Sequence, residues 1–353
     1  MTRAGLVCLL FVGLGAVLCR PALIPAAGAV LAAGAAISAG EGAQRAASAS
    51  ELNGFSLAGL TAPREQLIAG GPARDGIHSV DAPRFAAPED ARWVRADTPV
   101  IGVALGGVAH AYPVHVMEYH QVVNDVIGGV PVVVTYDPIT DMAAAWRARS
   151  GEEALVFGVS GLVYRSSFVL YDRQRESLWS PFDGRALSGP LAGDQLSAVR
   201  SRVEPMAVWL AREPGTRVLE LPERMKVDYR HSPYSAYWAS KDVPFPLDTT
   251  DDRFHAKELV LGVEAEGRAR AYIGSVLTGA GARIVDDIGA ARIRIEYDGS
   301  TGTFRYQAPE SVRVTSGYWF AWKNLHPDTE VWHPGSQRRS SPSHDLTISP
   351  SHY

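Results

Sequence analysis

After a turn-rich segment at residues 68–76, short apolar runs alternate with glycine, proline and aspartate along most of the chain. Residues 100–105, 130–136, 155–159 and 168–171 have strand length and strand composition, rich in β-branched and aromatic side chains. Apolar positions at helical spacing are fewer, and they predict helices over residues 114–125 and 204–212. On the first of these, Met117, His120 and Asn124 fall on one side at spacings of three and four.

The pattern recurs. Val100-Ile-Gly-Val-Ala-Leu-Gly-Gly-Val-Ala-His-Ala-Tyr112 is answered by Val260-Leu-Gly-Val-Glu-Ala-Glu-Gly-Arg-Ala-Arg-Ala-Tyr272. Val132-Val-Val-Thr-Tyr-Asp137 is answered by Ile293-Arg-Ile-Glu-Tyr-Asp298, and Trp209 with Pro214-Gly-Thr216 by Trp322 with Pro327-Asp-Thr329. A unit this long exceeds a solenoid repeat and points to two related halves. The expected fold is therefore α+β and strand-dominated, with two pseudo-repeated halves packed as one compact unit. Residues 61–250 form the first half-repeat, with an insert at about 150–200, and residues 251–333 the second.

The ends of the chain differ from this body. Arg3, an apolar stretch over residues 6–18, Cys19, Arg20 and an Ala/Gly-rich run make residues 1–40 a signal peptide or an N-terminal anchor, followed by a linker at 41–60. The expected location is extracytoplasmic: periplasmic, secreted or membrane-anchored, with the N-terminal segment as a membrane tether. Residues 334–353, rich in Ser, Pro, His and Arg, read as a disordered tail. The only cysteines, Cys8 and Cys19, lie in the N-terminal segment, so a mature chain starting near residue 30 or later has no thiol for a disulfide, a nucleophile or a metal.

Composition is globular, with 46% hydrophobic and 20% charged residues, enough for a sizeable core. A net charge of −4 supplies no electrostatic attraction to nucleic acid, which is not an expected partner. P-loop, complete Rossmann, HExxH and EF-hand signatures are absent.

Three places could carry chemistry. His120, with Asn124 and Asp125 nearby in sequence, reads either as an acid–base or metal histidine or as a helix-orienting hydrogen-bond partner. Tyr136-Asp137-Pro138-Ile139-Thr140-Asp141 offers Asp137 and Asp141 as oxygen ligands or acid–base groups, yet Tyr297-Asp298-Gly299-Ser300-Thr301-Gly302 has the same form, which is turn chemistry. In the insert, Ser160 stands between glycines without the spacing of a nucleophile elbow, and Arg165, Asp172 and Arg173 read as strand-end ion pairs. Trp179, Trp319 and Trp322 would serve as a carbohydrate platform only if exposed.

Taken in order, Gly70-Gly71-Pro72, Asp75-Gly76-Ile77, Asp81-Ala-Pro-Arg-Phe85, His120-Gln-Val-Val-Asn124-Asp125, Ile127-Gly-Gly-Val-Pro-Val132, Phe157-Gly-Val-Ser-Gly161, Tyr171-Asp-Arg-Gln174, Ser177-Leu-Trp-Ser180, Trp319-Phe-Ala-Trp322 and His326-Pro-Asp-Thr329 resemble domain-of-unknown-function family 3179. The resemblance covers nearly the whole mature chain. Where the family typically resembles Tyr-Cys-Pro-Leu-Cys-Gly, this chain has Asp137 and Thr140 in place of the cysteines, so the thiol pair that the resemblance implies is missing. Two functions follow as expectations. One is a non-enzymatic binding or structural scaffold in which Asp137 is a turn residue whose loss lowers stability slightly. The alternative is a metal-dependent extracytoplasmic enzyme or oxidoreductase-like protein, with His120, Asn124, Asp125 and Asp137 as catalytic candidates and His120, Asp137 and Asp141 as ligands of a divalent metal ion. The sequence names no ligand or protein partner.

Overall fold

A computed structural model describes residues 50–222, 227–247 and 249–335. The expected signal or anchor segment, residues 41–49 of the expected linker and the tail from residue 336 lie outside the described residues; the rest of that linker is packed, with Leu52, Phe55 and Leu57 buried against Tyr171 and Leu178.

After a two-residue hairpin, Glu51–Leu52 with Phe55–Ser56, the chain forms β1 (Leu67–Ala69) and β2 (Phe85–Ala86). The first half then runs β3 (Pro99–Leu105), β4 (Val108–Pro113), α1 (Val114–His120), β5 (Val122–Ile127), β6 (Val130–Asp137) and β7 (Met142–Arg147). The chain next forms β8 (Phe157–Tyr164), β9 (Ser167–Asp172), β10 (Leu178–Trp179), β11 (Ala186–Ser188) and β12 (Ala198–Val199). It returns through β13 (Ser201–Pro205), α2 (Met206–Arg212) and β14 (Arg217–Leu219), and crosses over by α3 (Ser235–Ala239). The second half is β15 (Leu259–Ala265), β16 (Arg268–Ile273), α4 (Gly274–Gly279), β17 (Arg283–Ile288), β18 (Ala291–Asp298), β19 (Thr303–Gln307), β20 (Arg313–Tyr318), α5 (Trp319–Leu325) and β21 (Glu330–Val331).

The protein is α+β and strand-dominated, and both halves use one plan. Each opens with a hairpin, β3–β4 or β15–β16, in registers Val100↔Pro113 and Val260↔Ile273. Each then passes through a short helix into a three-stranded meander, β5–β6–β7 or β17–β18–β19. Each closes with a strand antiparallel to the first, a helix, and a short strand parallel to the second, in registers Arg217↔His110 and Glu330↔Arg270. Under each closing helix sits a glycine: an added Cβ at Gly102 or Gly262 would run into the indole of Trp209 or Trp322. Between β7 and β13, residues 148–200 have no counterpart in the second half, where β19 leads directly to β20. They supply four of the five strands of the sheet β11-β10-β9-β8-β1.

Two helices are shorter than their periodicity predicts. The first stops at His120, because Gln121 takes a left-handed φ of 59° and its N–H closes on the Met117 carbonyl. The β-branched run after it then pairs with β6, so Asn124 and Asp125 stand on a strand and share no helical face with His120. The second starts at Met206, and Glu204 belongs to β13; Pro205 has no N–H and serves as the N-cap.

Each half has its own core. Ile101, Tyr112, Val116, Val123, Val132 and Val134 pack inside the first, and Leu261, Tyr272, Leu277, Ile293 and Ile295 inside the second. A third cluster joins β8–β10 to the outer face of the first meander, with Phe157, Leu170 and Trp179 against Val133 and Trp146, and it takes in Phe320 of the second half. The halves also meet directly where β7 lies against β20, the Tyr318 N–H donates to the Thr140 carbonyl at 2.9 Å, and Arg202 donates to the Tyr306 carbonyl at 3.2 Å.

Candidate functional site

The segment from Gly70 to Asp81 crosses β8 as a strap. The Gly71 N–H donates to the Gly161 carbonyl (3.1 Å), and the Asp75 N–H to that of Val159 (2.9 Å). The approach is so close that a Cβ on Gly161, whose φ is 75°, would collide with the Pro72 carbonyl. Further on, Val80 pairs in parallel with β5, its N–H donating to the Val122 carbonyl and its carbonyl accepting from Asn124 N–H. The glycine-rich motif thus presses the strap onto the sheet beside the β6–β7 turn.

Asp137 ends β6 beneath this strap. Its carboxylate is buried and fully engaged: Oδ1 accepts the Ile139 N–H (2.8 Å), and Oδ2 accepts the Ser167 hydroxyl (2.8 Å) and the Phe168 N–H (3.3 Å). Burial still raises its pKa against these three donors. The Thr140 hydroxyl faces the Asp137 carbonyl at 3.4 Å. In the second half the Asp298 carboxylate caps its own turn at Ser300, but in solvent. A cavity of about 30 Å³ beside Asp137 is lined mainly by apolar groups, with Gln121, Ile77, Phe168 and Phe245 among its walls. That is room for a single water and not for a substrate. Gln121 Oε1 is buried there without a hydrogen-bond partner.

His120 lies elsewhere in a closed network. Nδ1 donates to the His78 carbonyl (2.8 Å), which leaves Nε2 to accept from the Tyr229 hydroxyl (2.7 Å). Burial lowers its pKa and keeps the ring neutral. Asn124 bonds Asp81 and both main-chain groups of Phe157. Asp125 accepts from His110 Nδ1 (2.7 Å), the Tyr112 hydroxyl and Val126 N–H. Asp286 repeats that arrangement with Tyr272 and with Arg270 in place of the histidine. Asp141 sits at the end of the β6–β7 turn with a left-handed φ of 54°, its Oδ1 accepting the Tyr136 hydroxyl at 2.8 Å.

The donor atoms of His120, Asp137 and Asp141 are thus directed at different protein groups. Among the described residues no set of three His, Cys, Asp or Glu side chains is placed to hold a metal ion, so these residues do not fit a divalent metal. In the insert, the Ser160 hydroxyl donates to the Val169 carbonyl. Asp172 accepts from Arg175 N–H, Ser177 N–H and Trp179 Nε1, so it forms no pair with Arg173, whose guanidinium reaches Asp75 and Asp81 instead. Trp179, Trp319 and Trp322 are buried in the cores and offer no platform to a sugar. A larger concavity of about 160 Å³ lies between the halves, over Ala143–Trp146 and Val312–Thr315.

Two notable groups escaped the sequence reading. Glu118 is an acid on the buried face of α1, four residues after Val114, and that spacing was its only signal. His110 was marked by its alignment with Arg270 in the recurring segment. Comparison with known proteins finds no match among curated proteins and none among solved structures. A family model, described as protein of unknown function (DUF3179), matches residues 74–310, which include the strap from residue 74 onward, the insert and most of both halves. The chain belongs to the DUF3179 family.

Proposed function

We propose that this protein is a non-enzymatic binding or structural member of its family, working outside the cytoplasm. The observation that supports this reading is the saturation of Asp137: three protein donors consume its carboxylate, and a turn of the same form caps itself at Asp298. A group that must bind a ligand or move a proton keeps an oxygen facing a cavity. The cavity beside Asp137 admits no more than a water.

The test is elemental mass spectrometry on untagged full-length protein purified without chelator. The expected result is no stoichiometric divalent metal. A near-stoichiometric metal that disappears in His120→Ala would instead establish the metal-dependent reading with His120, Asp137 and Asp141. Placement outside the cytoplasm rests on residues 1–40. Cell fractionation with N-terminal sequencing checks it: protein found in the cytoplasm with residues 1–40 intact would end that part of the proposal.

A further inference from the structure

The halves touch at one end of their junction and part at the other. At the closed end Gly317 faces Met142, and the Tyr318 N–H reaches the Thr140 carbonyl at 2.9 Å. Four residues further along β7 and four back along β20, the Arg313 guanidinium stands 5.4 Å from the centre of the Trp146 ring. Between these contacts lies the concavity of about 160 Å³, and a narrower space of about 20 Å³ extends it toward Leu261 and Tyr306. Ala143, Ser201, Val314 and Thr315 border both parts. A space of about 150 Å³ accommodates a molecule the size of benzene.

Three kinds of group border this cleft. Ala143, Val199, Val312 and Val314 are apolar and belong to the cores of the two halves. Strand edges add polar main-chain groups, because β12 and β20 are each the last strand of their sheets. In an antiparallel ladder these groups point alternately toward the partner strand and away from it. The Tyr318 N–H points away from β15, toward Thr140, so those of Ser316 and Val314 turn the same way, toward the space between the halves. The third kind is positive charge without a counter-charge. Arg212 is paired with Glu204, and Arg313 with Glu264. Arg200 and Arg202 form no ion pair among the described residues. Arg200 donates to the Ala308 and Pro309 carbonyls at 3.2 and 2.5 Å, and Arg202 to the Tyr306 carbonyl at 3.2 Å, lying 4.0 Å from the centre of that ring. These bonds hold the guanidinium groups beside the cleft and leave part of each five-donor fork unspent. Glu310, the acid on the rim, is exposed to water.

The geometry points to a binding site for a small organic carboxylate in this cleft, with the carboxylate held by Arg200 and Arg202 and an apolar body of about benzene size against Ala143, Val199 and Val314. A guanidinium matches a planar carboxylate because it donates two parallel hydrogen bonds. The apolar walls contribute only when the ligand has an apolar body to bury against them, which disfavours an inorganic anion. A concave space at the junction of two packed units, apolar with a few polar groups directed into it, is the usual form of a small-molecule site. This site is separate from the Asp137 turn and goes beyond the reading of that turn, so a metal found at Asp137 would leave it standing. A ligand here touches β7 of one half and β20 of the other, and so it binds the joined state and strengthens it.

The test is a titration of full-length ¹⁵N-labelled protein with benzoate, isovalerate, benzamide and inorganic phosphate at constant ionic strength, followed by amide resonances. At least one of the two carboxylates is expected to saturate with a Kd at or below about 1 mM, a value that ligands of this size can reach. The resonances that move are expected to be those of Ala143–Trp146 and Val312–Thr315. Benzamide, the neutral counterpart of benzoate, and phosphate are each expected to bind at least about tenfold more weakly. Arg200→Gln is expected to weaken the carboxylate by at least about tenfold and to leave benzamide unchanged. Arg200 also ties β13 to residues 308 and 309, so a second variant keeps it in place: Ser201→Leu fills the junction of the two parts of the cleft and is expected to abolish binding. Urea midpoints of both variants establish that they are folded. Saturation by neither carboxylate, equal binding of benzamide or phosphate, or movement only of resonances outside the cleft overturns the proposal.

Discussion

At the level of single residues, Asp137 and Asp298 show how one turn sequence acquires two energetic weights. Both carboxylates cap a hairpin, but only Asp137 also ties down Ser167 and Phe168 at the start of β9. A sequence reading sees the cap, because the cap is local. It does not see partners thirty positions away, and so it expects Asp137→Ala to be mild. The structure argues for more: the substitution strands the Ser167 hydroxyl and two buried N–H groups. Loss of a buried acceptor with several donors costs about 2–4 kcal/mol. Chemical denaturation of Asp137→Ala should show a loss of that size, while Asp298→Ala, in solvent, should stay within about 1 kcal/mol. The same limit hid Glu118. Its place on the apolar face was legible, but not that its buried Oε2 has no hydrogen-bond partner, which depends on chain distant in sequence.

At the level of elements, strands were the legible part, since β-branched runs between glycine turns survive any tertiary arrangement. The end of α1 was not. Val122, Val123 and Val126 continue a plausible helical stripe, and the residue that breaks the helix is Gln121, which carries no turn signature despite its left-handed backbone. Comparing equivalent elements gives more than either alone. β4 and β16 present Tyr112 with His110, and Tyr272 with Arg270, to an aspartate on the following strand, Asp125 or Asp286. The slot at residue 110 therefore takes a side chain that donates a hydrogen bond from nitrogen to the aspartate. His110→Arg should fold with stability within about 1 kcal/mol of wild type, whereas His110→Ala removes a donor from a nearly buried carboxylate and should cost about 1–3 kcal/mol. Thermal melts of the two variants at one pH decide this; equal losses would mean that Phe85 stacking on the His110 ring, at 3.9 Å between centroids, matters more than the hydrogen bond to Asp125.

At the level of the whole molecule, the two halves are joined through a narrow seam. Gly317 lies over Met142, and a Cβ there would press on that side chain and approach the Thr140 carbonyl to 3.0 Å. Gly317→Ala should therefore wedge β20 from β7 at a cost of about 1–3 kcal/mol. Because the third core also spans both halves, urea unfolding followed by fluorescence and by circular dichroism should remain a single coincident transition in the wild type. A split transition in Gly317→Ala alone would identify the seam as the source of that cooperativity. None of this was readable in advance: the recurring segments describe each half, but not which of their positions, such as Thr140, meet the other half.

The plan shared by the halves has a further consequence. Val100 and Val218 flank the same stretch of β4, beside Pro113 and Ala111, and Val260 and Val331 flank β16 beside Ile273 and Ala271. With strands about 4.8 Å apart, the chain enters and leaves each half within about 10 Å. Each half is thus a closed circuit of chain. Its two ends could be spliced together and new ends opened at the Gly106-Gly107 turn without altering which strands touch, and a second circuit can follow the first in tandem without threading through it.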